Sequence, residues 1–150
     1  MKKSLIIALP LVLLAGSSFA QSTNTQDNSV ENVAFTALQV EKAHVVSRLY
    51  QATYGAKERC RPSKKASLSL GKAINQFRLA FPELMRLVDH SPYLPPARDQ
   101  FKKFLADPSA KVSDEDLVQE CQGLESLLLQ FVDAPEAKDE MNKYVLLLKK

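Results

Sequence analysis

The chain has 150 residues, of which 45% are hydrophobic and 25% charged, with a formal net charge of +3 and two cysteines. That length suits a single domain with one ordinary core. A charge so close to neutral gives neither counterion release nor attraction to an anionic surface much to work with, which argues against nucleic acid as a partner.

The first twenty residues read as a cleaved export signal: Lys2 and Lys3 precede an apolar run from Leu5 to Leu14, and small residues Ser18 and Ala20 follow. The run is about half the roughly 20 residues that span a bilayer, and Pro10 interrupts it, so no transmembrane span is expected. Cleavage is expected between Ala20 and Gln21, placing the mature protein in the periplasm or outside the cell. Its removal takes two lysines and brings the chain closer still to neutrality. Residues 21–28 are polar and lack the apolar groups that offset ordering entropy, so they read as a flexible tail. Residues 29–150 read as one helical domain.

Within that domain a first helix is predicted from Asn28, whose spacing to Glu31 suits a capping box, with Val30, Val33, Ala37, Leu38, Val45, Leu49 and Ala52 on one face. Gly55 and Pro62 are expected to end it. Ser63 is placed to cap a second helix carrying Leu70, Ile74, Phe77, Phe81, Leu84 and Val88 at helical spacing. Because this stripe keeps its phase across Pro82, one helix bent at the proline is expected, not two.

The run from His90 to Pro96 holds three prolines and is predicted to be a stiff loop, with Pro96 opening a short helix that ends at Asp107 and Pro108. Ser113 precedes a helix with Asp114, Glu115 and Asp116 in its first turn and Leu117, Cys121, Leu124, Leu128 and Phe131 on its inner face. Pro135 opens a last helix lined by Ala137, Met141, Tyr144, Val145 and Leu148, and Lys149 and Lys150 suit its C-terminal end. No strand alternation and no internal repeat is visible. The fold class is all-α, a single domain of about five helices closed by a disulfide between Cys60 and Cys121, since an even cysteine count in an exported chain favours a bond.

Residue patterns that carry chemistry are sparse. His44 and His90 are the only histidines, and with the cysteines oxidised there is no donor cluster for a metal. His44 lies near the edge of an apolar helix face and reads as structural; His90 follows Asp89, but adjacency in sequence does not orient the two side chains. Ser69 and Lys72 fit the short Ser-x-x-Lys pattern without the partner motifs that make it catalytic. No glycine-rich phosphate loop or dinucleotide fingerprint occurs, and no family signature is recognised. The expectation is no cofactor, no metal and no catalytic residue.

Charge is unevenly placed. From Lys57 to Lys103 eleven residues are basic and four acidic, whereas from Asp107 to Glu140 ten are acidic and two basic. The first reading is that the two segments pack together and pair across their rims. Lys64, Lys72 and Arg86 project away from the buried stripe, and Leu68 and Leu79 project with them. Core packing of both leucines on a second side of the helix is the first expectation; exposed, they would form a partner-binding face with the cations. Tyr93 and Leu94 in the proline-rich loop are a second candidate contact. The function expected is a non-catalytic module that binds a protein in the envelope, such as an inhibitor or immunity-type factor for an envelope enzyme. A general envelope chaperone or structural component is the alternative, and a small helical enzyme ranks third.

Overall fold

The computed structural model describes residues 35–150. The expected signal, its cleavage site, the polar tail and the predicted cap at Asn28 lie outside them. The first described helix, α1 (Ala37–Tyr50), opens at Thr36, whose Oγ1 accepts from the Gln39 amide while the Gln39 side chain accepts from the Thr36 amide. This reciprocal pairing satisfies two amides that a helix start leaves without partners. Ala37 and Leu38 are exposed, so the buried face of α1 begins further along, at Val45, Val46, Leu49 and Tyr50.

The helix does not stop at Gly55 as expected. It widens into a π turn (Gln51–Gly55) and continues as α2 (Ala56–Arg59), ending only before Pro62. Thr53, fully buried, donates its hydroxyl to the Leu49 carbonyl at 2.6 Å. Gly55 has ordinary helical backbone angles, φ −63° and ψ −44°, so it breaks nothing. Its lack of a side chain lets the Phe101 ring close in: a Cβ at Gly55 would lie 3.1 Å from that ring.

α3 (Lys64–Ala80) follows from Ser63, which stands at the capping position without a side-chain bond. α4 (Pro82–Asp89) is a separate helix, not the far limb of a bent one: Phe81 between them has φ −128° and ψ 57°. A proline disfavours helical angles in the residue before it, and its own fixed φ suits the first position of a new helix. The predicted stripe survives the break, with Leu70, Ile74, Phe77, Phe81, Leu84 and Val88 all buried.

α5 (Leu94–Ala106) takes Leu94, Pro95 and Pro96 into its first turn, leaving a shorter loop than the prolines suggested. First-turn amides have no intrahelical acceptor, so prolines there cost no bond. After a 3-10 turn (Pro108–Ala110), α6 (Asp114–Asp133) starts at Ser113, whose Oγ accepts from the Asp116 amide at 3.1 Å. α7 (Pro135–Lys149) closes the described chain, and Lys149 reaches Glu83 of α4 at 2.5 Å.

All described regular elements are helical, and they share one core. α3 packs along α6, α1 along α5, and α4 along α7, with α1 also touching α4 and α7. The expected disulfide is formed: Cys60, directly after α2, and Cys121, in the middle of α6, are bonded with their Cα atoms 6.0 Å apart and both side chains buried. It fastens the end of the first helical rod to the α3/α6 pair.

Candidate functional site

The basic and acidic segments do pack together through α3 and α6, but among the described residues a single ion pair joins them. Arg59 grips Glu120 with two bonds, Nε to Oε1 at 3.2 Å and Nη2 to Oε2 at 3.1 Å, and its Nη1 donates to the Ala110 carbonyl at 2.7 Å. Ser69 donates to Glu125 at 2.5 Å on the same seam, so its hydroxyl is committed to a carboxylate on α6 and not to Lys72. The expected pairing along the rims is therefore confined to one end. Lys64, Lys65 and Lys72 remain exposed.

α3 presents its outer side to solvent. Leu68 is 67% and Leu79 81% exposed, which corrects the expectation that a second layer covers them. Helical spacing puts Lys64, Leu68, Lys72, Asn75 and Leu79 along one stripe, and every one of them is exposed. α3 has only one close neighbour of its own length, α6, so its opposite face is left open. Gly71, at the edge of the stripe, has no heavy atom within 4 Å of the place its Cβ would occupy.

Arg86 does not extend this stripe, because the break at Phe81 puts it on α4. Together with Tyr93 it lines a cleft of about 230 Å³ between α1, α4 and α7. Lys42 enters this cleft from α1, Arg86 and Leu87 from α4, His90 and Ser91 from the following turn, and Leu148 from α7. Leu94 sits in the first turn of α5, half-buried against the core and not displayed at a loop tip. His90 Nδ1 is 2.8 Å from the Arg86 carbonyl; a carbonyl only accepts, so Nδ1 carries the proton and donates. His44, expected to be seated structurally, is exposed.

A third grouping, half-buried, ties the elements together. Tyr54, in the π turn, donates to Asp89 Oδ1 at 2.5 Å at the end of α4, and Arg78 of α3 bonds the same Tyr54 hydroxyl, lies over its ring and reaches Asp89 Oδ2 at 3.4 Å. Burial, and then the bond to Asp89, push the Tyr54 phenol up, and the Tyr54 bond raises Arg78 further above its already high value. The three groups satisfy one another, so the cluster holds structure. No three metal-ligating side chains converge among the described residues.

The α3 stripe is legible in helical spacing, whereas the cleft is not, because its lining comes from positions as far apart as Lys42 and Leu148. Comparison with known proteins finds no matching family model, no similar curated protein and no similar solved structure.

Proposed function

We propose that the chain is an exported, non-catalytic module that binds another protein through the outer face of α3. The observation carrying this reading is the exposure of Leu68 and Leu79 on one stripe with Lys64 and Lys72. Two large apolar side chains in water gain free energy when covered, and cations at the rim favour a partner whose apolar surface is edged with carboxylates. A helix fixed along its length by α6 presents these groups at little ordering cost.

Export is supported by the basic and apolar pattern of residues 2–14, the small residues Ser18 and Ala20, and a Cys60–Cys121 bond that suits an oxidising compartment. An inhibitor or immunity-type factor for an envelope enzyme is the form of binding that suits a small rigid scaffold. The test is affinity capture of the tagged protein from envelope extract, run beside the Leu68→Asp/Leu79→Asp variant. One stoichiometric protein recovered with the parent chain and absent with the variant supports the reading. Many unrelated clients would select a general chaperone instead, and equal recovery with both chains would remove α3 as the contact.

A further inference from the structure

We propose that the cleft between α1, α4 and α7 is a binding site for a small monocarboxylate with an apolar body. This rests on groups separate from the α3 stripe. Lys42 and Arg86 bring two positive charges to the cleft from different helices. Of the acidic residues on α4, Glu83 feels the Arg86 charge but holds Lys149 at 2.5 Å, and Asp89 holds Tyr54 at 2.5 Å and Arg78. Neither Lys42 nor Arg86 has an ion-pair partner among the described residues, and no carboxylate lines the cleft.

Ser91 adds a third donor. Its Oγ accepts from the Tyr93 amide at 3.2 Å, which leaves its own O–H free to donate. The remaining wall includes Leu87, Tyr93 and Leu148, all half-buried, so donors stand against an apolar surface. A ligand that fits has one compact anionic end for Lys42, Arg86 and Ser91, and a hydrocarbon or aromatic end for the wall. The volume of about 230 Å³ falls below that of a site for drug-sized molecules, which points to a ligand of fragment size. Inorganic phosphate would satisfy the donors but leave the apolar wall uncovered, and a neutral alcohol would do the reverse.

The experiment is a titration of the intact, oxidised protein with hexanoate, hexanol and inorganic phosphate, followed residue by residue through amide NMR shifts. Hexanoate is expected to move the amides of Lys42, of residues 86–93 and of Leu148, with a dissociation constant of about 1 mM. Lys42→Gln and Arg86→Gln should each weaken it roughly fivefold, the scale of one exposed ion pair. Hexanol and phosphate should bind more weakly than hexanoate. No shift at the cleft at tens of millimolar hexanoate, equal binding of phosphate or hexanol, or unchanged affinity in both variants would each overturn the assignment.

Discussion

Tyr54 and Asp89, thirty-five positions apart, share a hydrogen bond of 2.5 Å that joins the π turn to the last turn of α4. Arg78 completes the grouping from α3, so one cluster fixes the elements on both sides of the break at Phe81. Helix α4 has only eight residues and gains little from its own hydrogen bonds, so its position depends on such contacts and on packing.

Tyr54→Phe is expected to destabilise the fold by about 1–2 kcal/mol, because it leaves Asp89 and Arg78 short of a partner in a half-buried place. In a double-mutant cycle with Asp89→Ala, urea unfolding should show a coupling of about 1 kcal/mol. Additive effects would show that the bond contributes nothing of its own.

The three described glycines make opposite predictions. At Gly71 and Gly123 a Cβ meets nothing within 4 Å, so alanine should stabilise each helix by about 0.5–1 kcal/mol. At Gly55 the added methyl presses on Phe101, a half-buried ring that packs edge-on to Tyr50 and against Phe104. Gly55→Ala should lower stability by about 1–3 kcal/mol despite the better helix propensity. Thermal melts of the three variants give the comparison directly.

Alkaline pH should weaken the fold. Burial raises the phenols of Tyr50, Tyr54 and Tyr144 above their ordinary value of 10.0. A group raised in the folded state contributes stability that is fully present below the unfolded value and lost as pH rises through the folded one. Urea midpoints should therefore hold through neutral pH and fall above about pH 10. Tyr50→Phe should remove part of that fall and raise stability near neutrality by about 1 kcal/mol, since the Tyr50 hydroxyl is buried with no partner among the described residues.

Reduction of Cys60–Cys121, which spans 61 positions, should cost about 4 kcal/mol by releasing loop-closure entropy in the unfolded chain. The check is urea unfolding with and without a reductant, alongside the Cys60→Ala/Cys121→Ala protein. A midpoint unmoved by reductant would show that the bond only decorates a core already stable without it.

Much of this architecture was legible in the residue pattern, because burial follows helical spacing locally. The Leu70 to Val88 stripe, the cap at Ser113 and the cysteine pairing each depend on residue types whose physics is the same wherever they sit. The break at Phe81 was harder to read: the stripe keeps its phase whether the chain bends or stops, and only the backbone angles of the residue before Pro82 decide. Gly55 misled for a similar reason, since its role is set by Phe101, which belongs to a distant helix. The exposure of Leu68 and Leu79 depended on which helices cover α3, and the cleft depended on α1, α4 and α7 meeting. Neither tertiary fact has a local signature.

The central claim, binding through α3, is tested most directly by the affinity of the captured partner for three purified proteins: the parent chain, Leu68→Asp/Leu79→Asp, and Leu146→Asp. Leu146 is 63% exposed on α7 and serves as a single change of the same kind on another helix. The prediction is a loss of at least about 30-fold for the α3 double variant, the scale of hot-spot residues, with Leu146→Asp within about threefold of the parent. Equal affinities for all three proteins, or a greater loss at Leu146, would contradict it.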